Sequence, residues 1–254
     1  MKRFISSFRI GAFTLGGLLM LGAVVSSCDK DDNDNQDIPA AGLLAANLAP
    51  DVNQAAITLS GNYLNSSPLG FGTYTGGYLG IYTGARPVAA FDYSTGNSLN
   101  ADTTFTFDAD KYYSLFLVGT SPDYQSVVVH DDFDALDPVA GKAYVRYVQA
   151  IPGGNQTVTS ASGGTNVVND NAALASVSSF TAVNSGDITV TTTNGSSVNV
   201  NRTFGVEERG VYTIFLQGNP TGTGDQAPAI KFISHGKLDA STAKQSSVSA
   251  KSTN

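Results

Sequence analysis

The sequence predicts an all-β protein in which two copies of one β-domain follow each other. Short runs rich in Val, Ile, Thr, Phe and Tyr alternate with clusters of Gly, Asn, Asp and Pro, which is the pattern of strands and turns. No segment has a long helical period, and several strand-like runs recur later in the chain. Short strands at this spacing are typical of a sandwich or a barrel.

The strand pattern is clearest in residues 103–107 and 212–216, where β-branched and aromatic residues dominate. Asn194-Gly195 stands between two alternating runs, and this pair tolerates the positive φ angles of a tight turn. The two runs beside it are therefore predicted to form a hairpin.

The repetition is carried by two pairs of segments. Residues 105–119 match residues 204–218 without a gap in Phe, Tyr, Phe, Leu and Gly, and residues 127–130 recur as residues 232–235. The offset drifts between blocks, as it does when loops differ in length. The predicted divisions are copy one at 41–137, copy two at 138–240, and a disordered tail at 241–254.

The first 27 residues have the order of an export signal. A positive cluster, Met1-Lys2-Arg3, precedes an apolar run over residues 8–25 and then two small residues. The alternative is a transmembrane anchor that stays in the bilayer, but the run is marginal in length and rich in Gly. We predict that residues 1–27 are a signal peptide.

The stretch Val25-Ser26-Ser27-Cys28 resembles the lipobox of bacterial lipoproteins. The resemblance implies that the Cys28 thiol receives a diacylglycerol, that the chain is cut before it, and that the new N-terminus is acylated. Several acyl chains on one residue would hold the protein firmly to a membrane. A buried free thiol is the alternative, and since Cys28 is the single cysteine, a lipidated chain has no disulfide.

An acidic tether over residues 28–40 follows. Asp29, Asp31, Asp32 and Asp34 come directly after the cysteine, and they resemble the sorting signal of Bacteroidetes-type surface lipoproteins. The resemblance implies a position on the outer face of the outer membrane. The plainer interpretation is a solvated spacer. The formal net charge of −7 argues against a nucleic-acid partner, which needs basic patches.

The first copy has four recognisable segments: an Asn-Leu-Ala-Pro-Asp start, a Phe-Gly…Gly-Tyr middle, a Tyr-Thr-Gly turn and a Tyr…Val-Gly strand, at residues 47–51, 68–79, 82–86 and 111–119. With these segments the first copy resembles a family of exported bacterial domains, the domain of unknown function 4397 (DUF4397). The second copy departs in its middle, at residues 180–183. The resemblance implies an immunoglobulin-like β-sandwich, so that the chain would hold two in tandem, with no assigned function and no active site.

Catalytic templates are missing from the sequence, which has no Gly-x-Ser-x-Gly elbow, no His-Glu-x-x-His and no phosphate loop with Lys. We therefore expect the protein not to be an enzyme and to need no cofactor. His130 and His235 occupy matched positions at the ends of the last predicted strands, which favours a structural role over a catalytic one.

An acidic cluster falls near the junction of the two copies. Asp131, Asp132, Asp134 and Asp137 supply the oxygen ligands that Ca²⁺ prefers, but the segment lacks the Gly of a calcium loop. Calcium binding here is one hypothesis, and a solvated linker is the other.

Tyrosines supply the remaining candidate site. Strand alternation places Tyr78 and Tyr82 on one face of a strand, which either meets solvent and binds a ligand or lies in the core. Tyr113 and Tyr212 begin strands, and we expect them to be core or corner tyrosines with a hydrogen-bonded hydroxyl.

The function predicted from these patterns is a lipid-anchored envelope protein of non-catalytic binding type. Its ligand would be a glycan or a protein, bound on the Tyr78 and Tyr82 face or at loops of a sandwich tip. The alternative is a structural or accessory subunit of an outer-membrane complex.

Overall fold

A computed structural model describes residues 38–100, 102–195 and 197–239. The predicted signal peptide, the lipidation site Cys28, the acidic sorting signal and the tail lie outside these ranges. Within them, no helix has the length and apolar character to cross a bilayer.

Strands dominate both halves of the described chain. In the first half they are β1 (Ala40–Asn47), β2 (Gln54–Leu59), β3 (Asn62–Tyr63), β4 (Leu69–Gly70), β5 (Thr73–Tyr74), β6 (Leu79–Tyr82), β7 (Gly84–Asp92), β8 (Thr103–Phe107), β9 (Tyr112–Val118) and β10 (Gln125–His130). In the second half they are β11 (Lys142–Gln149), β12 (Gln156–Ser162), β13 (Thr165–Ala172), β14 (Thr181–Asn184), β15 (Gly186–Thr193), β16 (Asn199–Val206), β17 (Gly210–Gln217) and β18 (Ala229–Lys237). Two short 3₁₀ helices occupy Phe133–Ala135 and Gly224–Gln226.

The strands pair only within their own half in the described ranges. The first half forms one sheet in the order β10-β9-β1-β5, with β6 also on β1, and another in the order β3-β2-β7-β8, with β4 on β2. The second half forms sheets in the orders β14-β11-β17-β18 and β13-β12-β15-β16. Each half is thus a two-sheet sandwich, and the predicted all-β sandwich class is confirmed.

The two sandwiches share one pairing scheme. β1 runs parallel to β9, and β11 runs parallel to β17, whereas the other neighbouring strands are antiparallel. Leu44 lies opposite Ser114 in the first sandwich, and Arg146 lies opposite Thr213 at the same place in the second. The two sandwiches therefore have the same central parallel pair of strands.

Each sandwich has its own core between its two sheets. Leu43, Ile57 and Leu115 are fully buried in the first, and Ile188 and Leu216 are fully buried in the second. Strand alternation supplies these side chains, because every second residue of a strand faces the opposite sheet.

Corner tyrosines fix the approach to the long central strands. The hydroxyl of Tyr113 accepts a hydrogen bond from the backbone N–H of Asp108 at 3.1 Å, and that of Tyr212 accepts one from Glu207 N–H at 3.0 Å. The prediction of hydrogen-bonded corner tyrosines is confirmed.

A further core lies between the two sandwiches. Phe116 of the first and Phe215 of the second meet edge to face, with ring centroids 5.9 Å apart, and Leu44, Val148 and Ile233 pack around them. The strands β1, β9, β11 and β17 are consequently buried on both faces, as their nearly continuous burial shows. The described chain beyond residue 37 is one compact unit.

Candidate functional site

A buried ion pair joins the two sandwiches. Arg146 on β11 places Nη1 2.6 Å from the Oδ1 of Asp131, which directly follows β10, and the two side chains are 3 % and 0 % exposed. Two charges removed from water need full hydrogen bonding to be tolerated.

Neighbouring hydroxyls supply that hydrogen bonding. Ser114 Oγ donates to Asp131 Oδ2 at 2.6 Å, and the Tyr78 hydroxyl donates to the same oxygen at 2.5 Å. Arg146 donates from Nη2 to Ser114 Oγ at 3.0 Å and from Nε to Thr213 Oγ1 at 2.9 Å. The pair therefore sits inside a network drawn from both sandwiches.

His235 closes the network on its far side. Its Nδ1 is 2.9 Å from the Tyr78 hydroxyl, and its Nε2 is 2.7 Å from Thr213 Oγ1. Because Tyr78 gives its proton to Asp131, His235 must donate from Nδ1 to the Tyr78 oxygen and accept at Nε2 from Thr213. The imidazole is thus a neutral Nδ1–H tautomer that uses both nitrogens.

Burial also keeps this imidazole neutral. Desolvation lowers the pKa of His235 to about 3; the Asp131 charge opposes that change, and the Arg146 charge adds to it. Desolvation and the carboxylate of Asp131 together raise the pKa of the Tyr78 hydroxyl far above its ordinary value. Both side chains therefore remain uncharged at neutral pH.

Aromatic rings seal the network from water. The Arg146 guanidinium lies 4.5 Å from the centre of the Phe180 ring, and the Phe133 ring lies 5.5 Å from that of His235. Phe180 is part of the segment in which the second copy departs from the family pattern, so this departure provides the lid over the arginine. The network joins the sandwiches, and two of its members, Tyr78 and His235, also line a cleft of about 710 Å³.

The matched placement predicted for the two histidines is wrong by one residue. His130 pairs with Tyr113 and is exposed, but the counterpart of Tyr113, Tyr212, pairs with Ser234. A β-bulge between β17 and β18 inserts His235 as an extra residue, which turns its side chain inward.

The four aspartates at the junction are not gathered into a site. Asp131 faces inward to Arg146, Asp134 pairs with Lys111 at 3.2 Å, and Asp132 and Asp137 are exposed. Among the described residues no group of three or more His, Cys, Asp or Glu side chains could hold a metal ion. The geometry therefore does not support the calcium hypothesis, because the first carboxylate already has an arginine as its counter-ion.

The two candidate tyrosines have separate surroundings. Ile81 between them is buried in the core of the first sandwich, so Tyr78 and Tyr82 do share the opposite face. The second sandwich covers that face at Tyr78 only, and Tyr82 remains 61 % exposed. The sequence could not separate them, since the docking of the second copy decides which tyrosine is covered.

Tyr82 forms one wall of a surface groove of about 530 Å³. Tyr63, which is 68 % exposed, forms another wall, and Leu59 and Ile81 supply an apolar floor. Asn62 adds an amide at the edge. Tyr63 cannot be identified as part of this site from the sequence, because only the pairing of β3 with β2 brings it near β6.

Arg86 supplies the charge of this groove. Its Nε donates to the backbone carbonyl of Tyr82 at 2.8 Å, its Nη1 donates to Ser60 Oγ at 3.4 Å, and the guanidinium lies 5.4 Å from the centre of the Tyr82 ring. Among the described residues it has no carboxylate within ion-pair distance. The side chain is therefore held in place without being neutralised.

Other cavities of the described chain also adjoin the first sandwich. A groove of about 360 Å³ lies beyond Tyr63 and is lined by Asp92 and Tyr93, so Tyr63 borders both grooves. A cleft of about 710 Å³ lies between the sandwiches, where the pair Glu207–Lys237, at 2.6 Å, forms part of the rim.

Comparisons with known proteins support the family resemblance of the first copy. The family model described as "Domain of unknown function (DUF4397)" matches residues 41–156. No curated protein matches the chain. A solved structure, CBMbc (family CBM26) from Eubacterium rectale Amy13K in complex with maltoheptaose, aligns at 10 % identity with a TM-score of 0.23, covering 81 % of this chain and 100 % of that one. A TM-score this low supports no argument.

Proposed function

We propose that the protein is a non-catalytic binding module that holds a carbohydrate in the groove between Tyr63 and Tyr82. The observation that carries the proposal is that these two rings, 68 % and 61 % exposed, line one groove together with the apolar side chains of Leu59 and Ile81. A tyrosine ring offers a flat apolar face for the C–H face of a sugar, and its hydroxyl offers a hydrogen bond.

The size and lining of the groove fit a sugar better than the surface of a protein partner. Ligand pockets commonly enclose about 300–1,000 Å³, and this groove of about 530 Å³ falls in that range. The amide of Asn62 and the guanidinium of Arg86 line the groove together with the two tyrosines, so the groove offers both apolar faces and hydrogen-bonding groups, as a pyranose does. Tyr and Arg also anchor protein partners, and the experiment below includes that outcome.

The chemistry of the groove supports binding without catalysis. General acid–base catalysis needs a group that can exchange a proton near neutral pH. Among the described residues that line the groove there is no His, Asp or Glu.

Membrane attachment through Cys28 at the cell surface is part of the same proposal. The groove begins at Ile38, ten residues after that cysteine. Ten extended residues span at most about 35 Å. A lipid on Cys28 would therefore keep the groove close to the bilayer, where it would meet glycans of the envelope or of the surroundings.

A retention assay tests the proposal. The full chain is passed over insoluble polysaccharides, and Tyr63→Ala and Tyr82→Ala should each lose retention while unfolding at the normal denaturant concentration. Val167→Ala, which changes an exposed apolar residue of the second sandwich, is the control. Retention on no polysaccharide, or capture of a protein that depends on both tyrosines, would overturn the proposal.

A further inference from the structure

We infer that the groove takes an acidic glycan, and that Arg86 binds the carboxylate of one of its sugars. The inference rests on the proposed function and adds the chemical class of the ligand. It starts from the contrast between an uncompensated cation in the groove and a chain whose formal net charge is −7.

The fixed orientation of Arg86 is the first step. The Tyr82 carbonyl holds Nε at 2.8 Å, and Ser60 Oγ holds one hydrogen of Nη1. No described residue accepts a hydrogen bond from Nη2, and no described carboxylate forms an ion pair with the guanidinium. A guanidinium held by its inner nitrogen presents its outer N–H groups as a planar fork, the geometry that matches a carboxylate.

The place of Arg86 beside Tyr82 is the second step. Arg86 as a residue is half-buried, and its guanidinium lies 5.4 Å from the centre of the exposed ring. A uronic acid has a ring face that can stack on a tyrosine and a carboxylate on the rim of the same ring. One sugar can therefore contact Tyr82 and reach Arg86 together.

Charge complementarity selects an acidic ligand over a neutral one. Arg86 is the only charged side chain among the described residues that line the groove. In salt bridges elsewhere in the described chain, such as Lys111–Asp134 and Lys237–Glu207, the cation already has a carboxylate partner. The acidic run over residues 29–37 precedes Ile38 of the groove in the sequence, so the test includes a variant without its charges.

The test compares acidic polymers with neutral forms of the same polymers. The full chain is run over immobilised polygalacturonate, alginate and hyaluronan, and over each after reduction of its carboxylates to alcohols. We expect retention on at least one acidic polymer and roughly 10-fold to 100-fold weaker retention on its reduced form. Arg86→Gln should lose this preference, and Arg86→Lys should keep only part of it, since an ammonium cannot bind bidentately.

Two outcomes overturn the inference and leave the proposed function standing. One is equal retention on reduced and acidic polymers that still depends on Tyr63 and Tyr82. The other is retention that appears only after Asp29, Asp31, Asp32, Asp34 and Asp37 are changed to Asn, because the acidic run would then be the natural occupant of Arg86. Retention on none of the acidic polymers also overturns it, and the proposed function fails with it only if the neutral polysaccharides are not retained either.

Discussion

Arg146 of the second sandwich and Asp131 of the first form a buried ion pair at 2.6 Å, and their partners come from both halves of the chain. In the repeat, the position of Arg146 is held in the first sandwich by Leu44, while Ser114 and Thr213 correspond to each other. The two copies are therefore joined face to face by nearly equivalent strands, and one arginine makes the contact asymmetric.

This pair predicts a strongly non-additive pattern of stability. Asp131→Leu alone, or Arg146→Leu alone, leaves one buried charge without a partner, and we expect each to lower the free energy of unfolding by about 3–5 kcal/mol. The double change should be more stable than either single one, because it leaves no unpaired buried charge. At the position of Arg146 it also places the residue type that Leu44 supplies in the first sandwich. Urea denaturation measures all three.

The exposed pair Lys111–Asp134 is the control for this prediction. Lys111→Ala should cost at most about 1 kcal/mol, since an exposed pair contributes little. If the buried single variants cost no more than this control, the ion pair does not hold the sandwiches together.

His235 predicts a loss of stability in mild acid. The folded imidazole has a pKa of about 3, whereas the unfolded side chain takes a proton near pH 6.5. Below about pH 6.5 the unfolded chain therefore binds a proton that the folded chain refuses, and stability should fall by up to about 1.4 kcal/mol per pH unit. Above that pH neither state carries the charge, and this contribution is constant.

The measurement is the urea midpoint between pH 7 and pH 5, compared with that of His235→Gln. The variant should show the smaller pH slope, because glutamine has no proton to bind. His130→Gln changes the exposed histidine and should keep the slope of the natural protein. Parallel slopes for the natural chain and His235→Gln would contradict the assignment.

The contrast between His130 and His235 also shows which features of the structure can be predicted from the sequence and which cannot. The strand-rich class and the corner tyrosines follow from local patterns, and the structure has them. The inward turn of His235 depends on a bulge, and the burial of Asp131 depends on Arg146 arriving from the other copy. Neither the inward turn of His235 nor the burial of Asp131 can be predicted from the spacing of residues in the sequence.

Tyr78→Phe separates the role of Tyr78 from that of Tyr82. The change removes the hydroxyl that donates to Asp131 and accepts from His235, and it should cost about 1–3 kcal/mol of stability. Glycan retention at moderate temperature should be unchanged, because Tyr78 does not line the groove. Normal stability with lost retention would contradict this prediction and would indicate that Tyr78 contributes to ligand binding.

The attachment proposed at Cys28 predicts two distinct locations for two variants. The natural protein should sediment with membranes and be cut when proteinase is added to intact cells. Cys28→Ser should leave the membrane fraction. Changing Asp29, Asp31, Asp32 and Asp34 to Asn should keep the protein on the membrane but protect it until the cells are lysed. Cleavage of the aspartate variant in intact cells would show that the acidic run is only a spacer.

Tyr63 borders both surface grooves, and this position predicts a dependence on ligand length. A linear glycan that crosses Tyr63 would meet Tyr82 on one side and Tyr93, which is 54 % exposed, on the other. A disaccharide fills one groove only. Tyr93→Ala should therefore weaken a hexasaccharide of the retained polymer by roughly 3-fold to 10-fold, the value of one aromatic contact, and leave the disaccharide unaffected.

Calorimetric titration of both oligosaccharides measures this difference, with Tyr82→Ala as the variant that should weaken both lengths. The carboxylate of Asp92 lies in the second groove, but it accepts the backbone N–H groups of Ser94 and Thr95 at 2.8 Å and 3.0 Å. Its charge is thereby partly offset, so an acidic chain can pass it on the Tyr93 side. Equal losses at both lengths for Tyr93→Ala would place Tyr93 in the same subsite as Tyr82, and no loss at either length would confine the ligand to the groove beside Arg86.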